Sequence, residues 1–229
     1  MELNSSAGDR VFVAWSGGKD SYLSLLQAKD QGLNIVCLLS FISADGESRS
    51  HGLKTEMLEQ QAELLGIPLE TEEVTWKTYE DGFERAVNRI KLERDVQGGV
   101  FGDINLDEHR EWVIKMCKRC DIDHNLPLWH REERKVTEDL LAKGGEAVVV
   151  AIRSDLVENS WLGRIIDRDF IDYCVSKGIS PCGEGGETHT LVVNGPLFRN
   201  PLQYRPGEVK NRENRAILEV YNETGKAKQ

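Results

Sequence analysis

Val11-Phe12-Val13-Ala14-Trp15 is a short β-rich run that leads without a spacer into Ser16-Gly17-Gly18-Lys19-Asp20-Ser21, and a helical stretch over residues 21–31 follows at once. A strand, a turn tight enough to need glycines, and a helix in immediate succession make a βα unit. Its turn presents backbone N–H groups at the positive end of a helix, which is a ready anion site. The hydroxyls of Ser16 and Ser21 add donors, and Lys19 adds a point charge suited to phosphate. Asp20 either caps the helix or helps hold a metal ion. The turn is not a Walker loop, because its two glycines are adjacent and Lys19 is followed by Asp20; it also lacks the GxGxxG of dinucleotide folds. A plain βα turn with a capping serine is the bland alternative, but such turns rarely carry this density of donors.

The same strand, loop, helix succession recurs downstream. Apolar or β-rich runs at 35–42, 69–74, 98–104 and 147–152 read as strands. Helical patterns fall at 53–65, 79–94, 107–120 and 136–143, the second with Phe83, Val87 and Ile90 spaced for one buried face. This alternation predicts an α/β fold, a Rossmann-like parallel sheet of five strands with helices on both faces. Ligands of such sheets bind beyond the carboxyl ends of the strands, so the loops after Trp15, Ile42, Ile104 and Ile152 are the places to seek chemistry. After Arg153 the pattern loosens into a helix at 167–177, a Gly/Glu turn at 183–186, and strands at 190–193 and 216–221. The chain therefore divides into a nucleotide-binding α/β domain at 1–125 and a smaller C-terminal substrate region at 126–229, with the strand near 147–152 assignable to either.

With 29 Lys and Arg against 39 Asp and Glu, the formal net charge is −10. A chain that acidic has no broad attraction for phosphate backbones or anionic membranes, so nucleic acid is not a favoured partner. No apolar run approaches the ~20 residues of a membrane helix. The five cysteines are odd in number and scattered, unlike a disulfide framework, and the expected compartment is the cytoplasm.

A second signature lies far downstream: Gly183-Glu184-Gly185-Gly186-Glu187-Thr188-His189-Thr190, followed by Gly195-Pro196-Leu197-Phe198. Two carboxylates three residues apart, interleaved with glycines, make an anionic turn beside an imidazole. Such a group can hold Mg²⁺, an ammonium or a cationic part of a substrate; alternatively it is a surface turn between strands.

The first hexapeptide resembles the pyrophosphate loop of the ATP pyrophosphatases, the adenine nucleotide alpha hydrolases, which cleave ATP between its α and β phosphates. Its combination with GEGGE and Pro196-Leu197-Phe198 resembles the diphthine–ammonia ligase family. Phe101-Gly102-Asp103-Ile104 and Leu126-Pro127-Leu128-Trp129 extend the resemblance over roughly residues 11–198. At two places the chain departs from the family pattern, and both fall on the acceptor side. Thr188-His189-Thr190 stands where an aromatic and Glu-Thr are usual, and Ser48-Arg49-Ser50-His51-Gly52 differs from Ser-x-Met-x-His.

The resemblance implies an ATP-dependent amidoligase that adenylates a carboxylate, releases pyrophosphate and amidates with ammonia. Ser16, Gly17, Gly18, Lys19, Asp20 and Ser21 would hold ATP with Mg²⁺ at Asp20, and Asp103 would serve the nucleotide. Lys19, Asp20, Glu184, Glu187 and His189 would carry the chemistry, with His51, Arg164, Gly185, Gly186 and Thr188 at the substrate. The acceptor is diphthine on elongation factor 2 or a small-molecule acid. Free ammonia is the expected nitrogen source, since 229 residues leave no room for a glutaminase domain. A homodimer is compatible with the pattern. Two other readings use the same loop: a tRNA-modifying ATP pyrophosphatase, and a nucleotide-binding regulatory protein that never cleaves ATP.

The remaining candidates divide more evenly. Cys117 and Cys120, with His124 and His130 nearby, have the makings of a zinc site, but one helix is expected to carry both thiols, which favours simple buried cysteines. Asp103 is expected at the ligand edge of its strand. Arg164 is either a bidentate clamp or one half of a surface ion pair. His51 is either a phosphate contact or a solvated loop residue.

Overall fold

In the computed structural model, which describes residues 2–48 and 52–223, β2 (Arg10–Ala14) occupies the middle of a six-stranded sheet. Val11, Phe12 and Val13 are completely buried there, as an apolar run covered on both faces should be. β3 (Asn34–Ile42) and β4 (Leu69–Glu73) lie successively to one side, and β5 (Gly98–Val100) and β6 (Asp123–Leu126) to the other, all parallel. The two-residue β1 (Glu2–Leu3) adds an antiparallel edge on β6. The order β1-β6-β5-β2-β3-β4 places the reversal of strand order between β2 and β5, the place in open α/β sheets where ligands bind at the carboxyl ends.

Helices flank this sheet. α3 (Tyr79–Arg94) buries Phe83, Val87 and Ile90 on the face that their spacing predicts, and α4 (Asp107–Arg119) adds Val113, Met116 and Cys117. With Phe12, Leu39, Phe101 and Leu126 they form one hydrophobic cluster. The Phe12 and Phe101 rings meet edge to face at 5.8 Å.

A second, wholly antiparallel sheet has the order β8-β7-β10-β9, from β7 (Glu146–Arg153), β8 (Thr188–Asn194), β9 (Tyr204–Arg212) and β10 (Arg215–Asn222). With it go α2 (Thr55–Leu65), α5 (Glu133–Ala142) and α6 (Arg168–Lys177), the last capped by the Asp167 side chain, which accepts from the Phe170 N–H at 2.9 Å. The chain forms two compact units: the described parts of Met1–Ser16, Asp20–Ser50 and Gly66–Arg131 make the first, and those of Gly17–Lys19, His51–Leu65 and Glu132–Gln229 the second.

Among the described residues the parallel strands thus number five, but their membership differs from the expectation. The run at 147–152 pairs antiparallel with β8 and β10 in the second sheet, and the fifth parallel strand is Asp123–Leu126. An apolar run buried on both faces fits either sheet, so its own residues do not name its partner, while Asp-His-Asn-Leu is too polar to read as a strand. The segment Phe101–Ile104, expected in a strand, leaves the sheet after Val100. Among the described residues no helix is long and apolar enough to cross a membrane. All five cysteines are buried, and none is joined in a disulfide.

Candidate active site

The end of β2 is pinned from β3. The Trp15 N–H donates to the Leu39 carbonyl at 2.8 Å, and Ser40 Oγ donates to the Trp15 carbonyl at 2.6 Å. Ser16 follows, with its Oγ 3.1 Å from that of Ser21 in the first turn of α1 (Lys19–Asp30). Just beyond the end of β5, Gly102 comes so close to the start of this helix that a Cβ there would lie 3.1 Å from the Asp20 carbonyl carbon and 3.2 Å from the Ser21 nitrogen. This contact brings Asp103 to the same end of the sheet. Its Oδ1 is 3.1 Å from His109 Nδ1 on α4. Ser16, Asp20, Ser21 and Asp103 therefore gather in the first unit at the switch point, where the positive end of α1 favours an anion.

Gly17, Gly18 and Lys19 belong to the second unit. Gly17 has φ +80°, and a Cβ on it would lie 2.7 Å from Leu58 Cδ2 and 2.9 Å from Gln61 Oε1. Its carbonyl accepts from the Val192 N–H at 2.9 Å and from Gln61 Nε2 at 3.0 Å. Gln61 is completely buried on α2, and its Nε2 also donates to the Val192 carbonyl at 2.7 Å. Lys19 is 3% exposed; its N–H donates to Thr190 Oγ1 at 3.1 Å, and its Nζ donates to the Cys182 carbonyl at 2.6 Å. An ammonium has three donors, so the carbonyl takes one of them.

Cys182 immediately precedes the glutamate turn. The Gly186 N–H donates to the Gly183 carbonyl at 2.8 Å, which puts Glu184 and Gly185 at the apex. Glu187 leads into β8, which Thr188 opens. The Glu187 carbonyl accepts from the Arg153 N–H at 2.8 Å, and its side chain folds back so that Oε1 would lie 2.8 Å from a Cβ on Gly185. Glu187 Oε2 and Thr188 Oγ1 are buried without a hydrogen-bond partner. Unpaired buried groups are costly, so a donor from a ligand or a water at these two oxygens would be favourable. His189 Nε2 lies 3.2 Å from Arg215 Nη1. The guanidinium can only donate, so the imidazole is neutral with its proton on Nδ1. Burial first, then the charges of Arg215 and Lys19, push the His189 pKa down to about 4.

The predicted residues thus fall into two groups, each internally close: Ser16, Asp20, Ser21 and Asp103 in one unit, and Gly17, Gly18, Lys19 and the Glu184–His189 segment in the other. Arg164 joins neither. Its guanidinium stacks 4.0 Å from the Trp161 ring and pairs with Asp167 at 3.8 Å. His51 lies outside the described residues. Cys117 and Cys120 are buried in the core of the first unit, where burial pushes the Cys117 thiol up to about 12 and raises that of Cys120. Among the described residues no group of three His, Cys, Asp or Glu side chains is placed to hold a metal. Gln61, Arg153 and Arg215 are not singled out by the sequence. Gln61 lies on the buried face of an amphipathic helix, and a polar residue there, one turn past Met57 and Leu58, is the one local signal that points to it.

Residues 9–124 match the family described as Diphthamide synthase N-terminal domain, and residues 132–224 match Diphthamide synthase C-terminal domain. The diphthine–ammonia ligase of Homo sapiens is 27% identical over 225 residues, which cover 87% of this chain and 84% of that protein. That of Danio rerio is 27% identical over 217 residues, with 84% and 85% covered. The Schizosaccharomyces pombe diphthine–ammonia ligase is 24% identical over 223 residues, covering 87% of this chain and 37% of that protein.

Proposed function

The chain belongs to the diphthamide synthase family, whose relatives are named for ligating diphthine and ammonia, and on that premise we propose that it is an ATP-dependent amidoligase acting on a carboxylic acid. The acceptor carboxylate attacks the α phosphorus of ATP; the bond to the β-phosphate oxygen breaks, and pyrophosphate leaves. Ammonia then attacks the acyl carbon of the adenylate, AMP departs, and loss of a proton gives the amide.

The observation that supports this reading most directly is the 2.6 Å contact of Lys19 Nζ with the Cys182 carbonyl. It ties the first signature to the residue immediately before the second, 163 positions away. Fixed donors aimed at charge that develops in the transition state are the strongest device such a site has. Ser16, Gly17, Gly18, Lys19 and Ser21 hold the phosphates and oppose the charge growing on pyrophosphate. Asp103 serves the nucleotide from the adjacent strand end.

Mg²⁺ binds ordinarily through one or two carboxylates plus substrate phosphates, and Asp20 at the start of α1 is the donor this loop offers; bound there, the ion would neutralise phosphate charge. Glu187 Oε2 accepts an N–H of the incoming nitrogen, which supplies the partner this buried oxygen lacks. Glu184 and neutral His189 position the acceptor beside it. Diphthine is the acceptor that the relatives' names point to, and the buried, unbridged thiols suit a reducing compartment such as the cytoplasm.

The test is a screen of carboxylic acids, diphthine-bearing elongation factor 2 among them, for acceptor-dependent AMP release in the presence of ammonium. Release stimulated by one acid and indifferent to added tRNA supports the proposal. Release that requires tRNA, or tight ATP binding with no release for any acid, contradicts it.

A further inference from the structure

We propose that Gln61 is a positioning residue of the phosphate loop. It holds the Gly17–Gly18 peptide in the orientation that turns a donor, not an acceptor, toward the phosphates of ATP. The inference rests on the reading of this turn given above and adds a residue to it.

A glycine pair makes the turn possible and leaves it loosely determined. Gly17 has φ +80°, Gly18 follows, and neither carries a Cβ that would bias the peptide between them. Across a trans peptide bond the carbonyl and the N–H point in opposite directions. Rotating this peptide by half a turn would therefore exchange the directions of the Gly17 carbonyl and the Gly18 N–H. Against a triphosphate that exchange is costly, because a carbonyl oxygen would face phosphate oxygens where a donor is needed. Something must select one orientation.

Gln61 does so from a place where a polar side chain is otherwise a liability. It is completely buried on the face of α2 that also buries Met57, Leu58, Ala62 and Leu65. Its Nε2 spends both hydrogens on carbonyls, that of Val192 at 2.7 Å and that of Gly17 at 3.0 Å. Both partners are acceptors, so the side chain must present an NH₂ group to them, which neither a carboxylate nor a thioether can do. The Gly17 carbonyl also accepts from the Val192 N–H at 2.9 Å, which occupies its second lone pair. Two residues on, the Lys19 N–H donates to Thr190 Oγ1 at 3.1 Å. Gly18 is thus held from both sides. The Gly17 carbonyl is drawn to α2 and β8, and the Gly18 N–H is turned the other way. β8 lies at the edge of its sheet, so the loop runs where a neighbouring strand would otherwise pair.

The experiment measures binding of ATP with Mg²⁺, and of AMP, to the full chain by calorimetry, for the wild type, Gln61→Met and Gln61→Glu. Gln61→Met keeps the length and removes both donors. It should weaken ATP by about tenfold, the upper range for lost hydrogen bonds, and leave AMP, which lacks the two outer phosphates, unchanged. A merely structural role would move both nucleotides together or neither. Gln61→Glu adds a pH signature. Its ionised carboxylate has no donor to offer two carbonyls, whereas the protonated form supplies one. Burial raises the pKa of such a carboxyl, so its ATP affinity relative to wild type should recover in part from about pH 8.5 to about pH 5.5. Gln61→Met should show no recovery; if it folds poorly, the glutamate variant compared with itself across pH carries the test. Equal ATP affinity in all three proteins, or equal losses for ATP and AMP without recovery at low pH, overturns the inference. A wild-type chain that binds no ATP removes the phosphate-loop reading itself, and this inference with it.

Discussion

Lys19 Nζ donates to the backbone carbonyl of Cys182 at 2.6 Å, in a setting where the lysine is only 3% exposed. A lysine so buried keeps its charge only if its surroundings are polar, and a turn that buries one gains a fixed cation where phosphate charge must be met. Lys19→Met is therefore expected to lower acceptor-dependent AMP release by about a hundredfold or more, as removal of one fixed donor does elsewhere. Lys19→Arg should fail to restore it, because a planar fork does not replace a compact ammonium. Steady-state AMP release checks both; near-normal turnover in Lys19→Met would remove the lysine from the mechanism.

The turn itself depends on Gly17. Alanine there would take a left-handed φ of +80° and put its methyl 2.7 Å from Leu58 Cδ2. Strain and overpacking of this kind cost about 1–3 kcal/mol. Gln61→Leu should cost a similar amount, about 1–3 kcal/mol, by leaving the Val192 carbonyl unpaired in the interior. Urea unfolding measures both, and an unchanged midpoint in either variant would show that the neighbours yield more easily than their packing suggests.

His189 makes an acid-side prediction. Its pKa falls from 6.5 to about 4 in the folded protein. Folding therefore favours the neutral ring, so this residue's contribution is complete above pH 6.5 and is lost as pH falls toward about 4. His189→Gln keeps an acceptor for Arg215 and does not titrate. The difference in unfolding midpoint between the two proteins should thus shift in favour of the variant between pH 7.5 and 4.5. A difference that stays constant with pH would show that neither burial nor the charges of Arg215 and Lys19 act on the ring.

The thiols make an alkaline one. Burial pushes Cys37, Cys117 and Cys174 up to about 12. The protonated forms are favoured in the fold, so their contribution is complete below pH 9 and is lost as pH rises toward about 12. At pH 8 these thiols should resist a thiol-specific reagent until urea unfolds the chain. Rapid labelling of Cys117 in the native protein would contradict its place in the core.

What was legible in the sequence was local. The SGGKDS turn, the buried face of α3 and the stop at Gly178, whose φ of 68° caps α6, all follow from residues next to each other. Pairing was not legible. Asp123–Leu126 carries Asn125, a completely buried polar residue whose side chain accepts from the Asn4 and Ser5 N–H groups, 121 and 120 positions away. No window of sequence around it shows that partner. β9 hides for the opposite reason: it is an edge strand, and its charges and Pro206 are what an edge tolerates and a buried strand does not. The same holds at the site. Glu184, Glu187 and His189 announce themselves as a motif, whereas Arg215 enters only because β10 pairs with β7, and Gln61 only because α2 turns its buried face to Gly17 and Val192.

The most direct test of the account is ATP–pyrophosphate exchange: the full chain with ATP, Mg²⁺, labelled pyrophosphate and candidate acids, with ammonia withheld. Adenylation predicts label entering ATP only when the correct acid is present, without net loss of ATP, and equal amounts of AMP and amide once ammonium is added. ADP and orthophosphate as products in place of AMP and pyrophosphate would contradict it.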